Sequence, residues 1–351
     1  MVRITADFQQ ERVLHPAAMA QLNQSFAKGW ADPNKLNTNS REVAILLQQV
    51  RENFATALKV RPDEIEFLGE SDLGFQLGIS GLLKSNSNLI YSSIDRQRIF
   101  AVAANEENNG RKVDCVSVNQ NGAIASYAAQ ENDVVVWQVA NGETGNLQPS
   151  NPTSGLIFAD CTASGVDALP NFEYHTALFD SSSWQGPAGV GILIVKAPDK
   201  WRNPLPHNDL TRVPGSYSIP LVIASSIALT AHLSQEDIRG NLKKYIIEFV
   251  SSQISEVDIA SNLDGLSKFV SFSVDKVEAD RLLLELEAAG FAVDSGSACK
   301  SADMQPSHVL AAMNRPITGN IRLTLHKDIT EQMVKDFCQA LKIAIAKLRK
   351  N

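Results

Sequence analysis

Cysteine is scarce in this chain. Of 351 residues only four are cysteine, at 115, 161, 299 and 338, and no two form a CxxC pair. A disulfide framework and a thiolate zinc site are thereby disfavoured, and a reducing cytoplasm is the expected setting. The six histidines show neither an HExxH run nor any other paired spacing, so no metal is assigned. Basic residues are in deficit, with 32 Lys and Arg against 39 Asp and Glu and a net charge of −7. That balance argues against nucleic acid or an anionic membrane as the main partner. No uncharged apolar run is long enough to span a bilayer, and the opening MVRITADFQQERVL has no signal-peptide core. What remains is a chain with 44% hydrophobic residues, enough for one large or two medium globular domains.

The hydrophobic pattern is that of an α/β protein. Amphipathic helices are expected over 13–29 and 38–58, the second capped by Asn37-Thr38-Asn39-Ser40 and carrying Val43, Leu46, Leu47, Val50 and Phe54 at helical spacing. A strand is expected over 64–69, followed by a helix that Asp72 caps and that runs to Leu83. A strand at 88–91 and a helix near 95–106 come next. Strands at 113–118, 134–140, 155–159, 176–180 and 190–195 follow, several of them continuous apolar runs. Such runs suit a sheet covered on both faces. Residues 217–255 read as mostly helical. Strand 268–273, helix 276–289, strands 291–294 and 321–325 and helix 330–348 then suggest a smaller α+β unit.

Chemistry concentrates in FAVDSGSACKSADMQPSHVL, residues 291–310. A short apolar strand runs into small residues, then a single thiol at Cys299, then polar residues before a new helix. A thiol in a Gly/Ser-rich loop can be exposed, as nucleophilic sulfur chemistry requires, and neighbouring Lys300 would lower its pKa. Taken alone, an ordinary loop containing one cysteine is the plainer explanation. Cys115, by contrast, lies in an apolar strand and is expected to be shielded.

With these elements placed, the SGSAC loop, PSHVL and IRLTL (321–325) resemble the C-terminal signature of cysteine desulfurases, fold-type I pyridoxal-phosphate (PLP) enzymes of aminotransferase class V. The likeness runs through nearly the whole chain: ANGETGNLQP (140–149), WQGPAGVGILIV (184–195) and RVPGSYSIPLVIA (212–224) resemble further family segments. The resemblance implies a mainly parallel seven-stranded large domain over 13–230. It also implies a small domain over 231–351 that includes the N-terminal arm 1–12. A homodimer is implied too, since 212–224 matches the segment that reaches a neighbouring subunit's cofactor phosphate. In such enzymes PLP acts as an electron sink on cysteine, and a loop thiolate takes the sulfur as a persulfide. Cys299 matches that nucleophile, Arg322 the arginine that forks onto the substrate carboxylate, Asn141 an asparagine near the ring, and Asp160 the partner of the pyridinium nitrogen. Ser216 falls at a phosphate-binding position. Read without the family, Asp160 could be a turn or cap residue and Arg322 a surface ion pair. His308 is given no chemistry.

The departures fall on one pocket. Ser183 stands where the Schiff-base lysine belongs, and a hydroxyl cannot form an imine. Ser71-Asp72 replaces the Gly-Thr phosphate turn, Arg96 the ring-stacking histidine, Ala163 a glutamine, and Asp180 a phosphate-binding serine. The segment between Pro149 and Asp160 is too short for the family's helix. Lys300 and Lys196 are the nearest lysines by sequence, and neither is well placed to substitute. The expectation is a desulfurase-like protein that handles sulfur on Cys299 with PLP chemistry impaired or absent, acting on cysteine if active and passing sulfur to a sulfur-acceptor protein. The alternative is a non-catalytic chain, either an acceptor of persulfide from a sulfur-donor protein or a scaffold subunit.

Overall fold

A computed structural model describes residues 4–11, 13–208, 212, 213, 215, 217–296 and 306–350. After a two-residue strand β1 (Ala6–Asp7), helices α1 (Pro16–Lys28) and α2 (Thr38–Leu58) form. Asn37 starts α2 by accepting a hydrogen bond from the Ser40 amide at 2.9 Å. Val43, Leu47, Val50 and Phe54 follow at three- and four-residue steps and are all buried. Lys59 ends the helix in the left-handed region at φ 56°.

Strand β2 (Ile65–Leu68) leads into α3 (Ser71–Ser80). Here an expectation is corrected. Glu70 holds the cap position, and Asp72 lies inside the first turn with its carboxylate on Arg98 at 2.5 Å. Gly74 and Gly78 recur at one helical turn and let α3 lie directly on the sheet. A Cβ on Gly78 would stand 2.4 Å from the Phe158 ring.

The chain then supplies β3 (Leu89–Ser92), α4 (Gln97–Asn108), β4 (Val113–Val116), β5 (Val134–Gln138), β6 (Leu156–Asp160), β7 (Thr176–Asp180) and β8 (Gly191–Val195). Together with β2 they make a seven-stranded sheet in the order β2-β8-β7-β6-β5-β3-β4. Neighbours from β7 through β4 are parallel, whereas β8 runs antiparallel to both β7 and β2. β5, β6 and β8 are buried at every position, as continuous apolar runs require in a two-sided sheet. α4 begins at Gln97, so Asp95 and Arg96 belong to the turn that follows β3. β4 is one of the two edge strands, and Cys115 on it is exposed. An apolar run at an edge is covered on fewer sides, so the expected shielding of Cys115 does not hold.

Beyond β8 come α5 (Ile219–Ser234) and α6 (Arg239–Gln253), then β9 (Val257–Ile259), which periodicity did not reveal because it is only three residues long. Strands β10 (Phe269–Val274) and β12 (Asn320–Thr324) join it in the order β12-β10-β9. Helices α7 (Ala279–Ala288), α8 (His308–Ala312) and α9 (Glu331–Leu348) complete this part, with β11 (Phe291–Ala292) pairing in parallel with β1. One buried apolar cluster joins α1, α2 and α5 to the large sheet, and another packs α6, α7, α9 and Phe8 against β10 and β12.

Candidate functional site

The parallel strands β3, β5, β6 and β7 end on one rim, where α/β sheets place their ligands. That rim carries Asp95 and Arg96 after β3, Asn141 after β5, Asp160 as the last residue of β6, and Asp180 as the last of β7. A cavity of about 480 Å³ opens there. Arg96, Asn141, Glu143, Asp160, Ser307 and Arg322 are among its lining residues. Three residues expected from the sequence, Asn141, Asp160 and Arg322, are thus brought together.

Each already has partners within the chain. The Asn141 side-chain oxygen accepts from the amides of Glu143 and Thr144 at 2.9 and 3.0 Å. Its amide group donates to the Ile94 carbonyl and to Gln138. Asn141 therefore folds the loop it belongs to. Asp160 is buried, and its Oδ1 accepts from the Thr162 amide and hydroxyl at 2.9 and 2.6 Å. Its Oδ2 faces Arg96 Nε at 3.6 Å. Arg322 pairs with Asp294 at 3.1 Å. Asp95, buried beside Asp160, accepts from Gln138 and the Ser92 amide. Burial, with the Asp160 charge adding to it, pushes its carboxyl up to about 8.

Ser183 does not line this cavity. It lies in a 3₁₀ turn, Ser181–Trp184, where its hydroxyl donates to the Asp180 carbonyl at 2.7 Å. Asp180 caps that turn by accepting from the Ser182 amide, and its other oxygen accepts from Ser71 Oγ at 2.5 Å. Its carboxylate therefore sits at the N-terminus of α3, where partial positive charge gathers. A second, small cavity of about 40 Å³ lies between Ser183, Lys268, Arg239 and His232. Cys299 and Ser216 lie outside the described residues, as do Ser297, Ala298 and Lys300.

No family model matches the chain. A cysteine desulfurase IscS from Dictyoglomus turgidum is 25% identical over 91% of this chain and 89% of its own length. Cysteine desulfurase 2 from Trichormus variabilis is 26% identical over 91% of this chain and 87% of its own. A solved NifS-like protein superposes with a TM-score of 0.85 at 19% identity, covering 99% of this chain and all of that one. Along nearly its whole length the chain is similar to cysteine desulfurases. Its fold is the fold-type I PLP-transferase architecture.

This desulfurase-like chain also carries site residues that the sequence did not single out. Glu143 lay in plain view in the ANGETG run and became notable only once its carboxylate was seen in the cavity. Lys268 stands alone before the apolar run FVSFSV, and only the fold brings it near Ser183. It is buried, 3.3 Å from Asp167, and within the field of Arg96. Burial lowers its amine pKa, and Asp167 opposes that shift. Among the described residues no cluster of His, Cys, Asp and Glu could hold a metal ion.

Proposed function

We propose that this chain handles sulfur as a persulfide on Cys299, and does so without PLP. One observation carries the reading: side chains of the protein itself supply both charges the coenzyme would bring. The Arg96 guanidinium stands against Asp160 in the place of a pyridinium nitrogen. The Asp180 carboxylate holds Ser71 and the α3 N-terminus in the place of a phosphate. A phosphate dianion brought there would meet a fixed carboxylate, and Ser183 offers no amine for an imine. These residues do not fit PLP, and no step of the proposed chemistry runs through it.

In the proposed step a persulfide on a donor protein meets the Cys299 thiolate. The thiolate attacks the terminal sulfur, the donor's S–S bond breaks, and a new S–S bond forms on Cys299. The donor leaves as a thiolate, so no external oxidant or reductant is needed. A sulfur-donor protein is the implied partner, a homodimer the implied assembly, and a reducing cytoplasm the implied compartment. In this reading residues 13–230 form the larger unit, and 231–351 with the arm 1–12 the smaller one that carries the thiol.

The test has two parts. Purified protein is mixed with PLP, its absorbance followed, and borohydride added before mass spectrometry; no covalent adduct is expected. The protein is then mixed with a persulfidated desulfurase, and Cys299 should gain the mass of one sulfur atom while Cys299→Ser gains none. A lysine adduct with PLP would restore the catalytic desulfurase reading. Absence of sulfur on Cys299 from any donor would leave a scaffold.

A further inference from the structure

Helix α1 begins on a histidine. His15 holds its cap position, and the ring Nδ1 accepts from the Ala17 amide at 3.2 Å. Pro16, the first helical residue, has no N–H to satisfy, so the Ala17 amide is the first donor left without a partner in the helix, and the imidazole takes it. Most helices use Ser, Thr, Asp or Asn for this task, and none of those titrates near neutrality. An imidazole does. Its Nδ1 accepts only while the ring is neutral with the proton on Nε2. Protonation puts a hydrogen on Nδ1 and sets one donor against another.

The surroundings favour the neutral ring. His15 is buried, and its Nε2 lies 3.0 Å from the Gln235 side-chain amide, whose oxygen can accept the Nε2 proton. Helix α5 presents His232, itself held by Asp167 at 3.1 Å. The turn after β12 presents Asp328 and Lys327, the latter donating to the carbonyls of His232 and Gln235. From Gln185, which closes the 3₁₀ turn, comes a carbonyl that accepts from the His15 amide at 2.8 Å. Burial and His232 lower the imidazole pKa, and Asp328 opposes them. The positive end of α1 acts in the same direction as burial.

The cap sits at a joint. Before it, the arm is tied to the C-terminal part of the chain. There β1 pairs with β11, the Phe8 carbonyl accepts from the Thr324 amide at 2.7 Å, and the Gln10 amide donates to Asp294 at 2.8 Å. After it, α1 packs with α5 in the apolar cluster of the large sheet. We propose that His15 is a pH-sensitive cap that couples the arm to α1: the neutral imidazole fixes the first turn, and protonation frees that turn and slackens the joint. The sign follows from the lowered pKa. The cap's contribution is fully present above the unfolded value of 6.5 and is lost as pH falls through the lower folded value. The device needs neither Cys299 nor a coenzyme.

Hydrogen–deuterium exchange with peptide mass mapping on the full chain tests it, at about pH 7.5 and about pH 5.5, corrected for intrinsic rates. The peptide covering the first turn of α1 should exchange about fivefold faster at the lower pH, the effect of one lost N-cap. Helix α2, capped by Asn37, should keep its protection. His15→Asn supplies an acceptor that does not titrate, so its first turn should be equally protected at both values. Nitrogen NMR of labelled histidine reads the ring directly: Nδ1 should be unprotonated at the higher pH, with a midpoint below 6.5. Equal protection of the parent at both pH values would overturn the proposal, as would a midpoint at or above 6.5. A His15→Asn variant that kept the parent's pH dependence would overturn it too, by assigning the titration to another group such as His232. Were that variant unable to fold, parent exchange and the NMR midpoint would still decide.

Discussion

Arg96 Nε lies 3.6 Å from Asp160 Oδ2, and the carboxylate is buried while the guanidinium is 37% exposed. The arginine comes from the turn after β3 and the aspartate from the end of β6, with β5 between them in the sheet. The pair places a positive charge beside the carboxylate that, in the proposed reading, a pyridinium would otherwise face. Asp180, at the α3 N-terminus, holds Ser71 Oγ in the same way, so both carboxylates already meet donors from the chain itself.

Restoring the missing lysine alone should therefore do nothing. Ser183→Lys is expected to give no borohydride-fixed PLP adduct and no alanine from cysteine. Adding Arg96→His and Asp180→Ser removes both internal charges, and this triple variant should bind PLP detectably by absorbance. Alanine release by the single variant would mean that the internal charges do not block the pocket.

Asp167 should be an acid-sensitive joint. It meets Arg239 at 2.9 Å, His232 at 3.1 Å and Lys268 at 3.3 Å, in largely buried surroundings. Burial alone would raise its carboxyl, yet Lys268, His232 and Arg239 hold it well below the ordinary value of 3.8. A depressed folded pKa contributes stability above the unfolded value and loses it as pH falls below that value. Asp167→Asn leaves buried Lys268 without a carboxylate and Arg239 with Asp237 alone, and should cost about 3–5 kcal/mol at pH 7. Its stability should fall less steeply than that of the parent below about pH 4. Urea titrations at pH 7 and pH 3 measure both effects, and parallel losses at the two pH values would refute the assignment.

Gly78→Ala should be destabilising although alanine is the better helix former. The added Cβ would enter the Phe158 ring at 2.4 Å, and overpacking of this kind costs about 1–3 kcal/mol. A thermal melt that is unchanged or higher would show that α3 can lift from the sheet without loss.

Thiol reactivity offers a fourth check. Cys161 and Cys338 are buried and burial raises both thiols, the second to about 12. Neither should alkylate in the folded protein. Cys115 is exposed but its thiol is also raised, burial of its surroundings outweighing the hydrogen bond with Tyr91. Iodoacetamide followed by peptide mass mapping should find Cys299 modified fastest, with Cys115 slower. Equal rates at the two positions would remove the argument for an activated thiol beside Lys300.

Much of this molecule was legible before folding was considered. Helix α2 could be read from its asparagine cap and its apolar stripe, and β6 and β8 from unbroken apolar runs, because periodicity and capping are local physics. Short elements escaped: β9 has three residues and β1 two, too few for any period to show. Cys115 was misjudged because an apolar strand does not reveal whether it lies at the edge of its sheet.

The sequence by itself determined the residue types that matter: a serine at 183 that cannot form an imine, a thiol at 299, an aspartate closing β6. Tertiary structure alone decided what those residues face. Ser71 and Asp180 are 109 positions apart and still share a hydrogen bond. Glu143 and Ser307, 164 apart, share another. Strand order brings such pairs together, and the order in which strands assemble depends on the burial of whole faces rather than on any local pattern. Electrostatic energy depends on distance and burial, so the charges that fill this pocket acquired their meaning only when the sheet had formed.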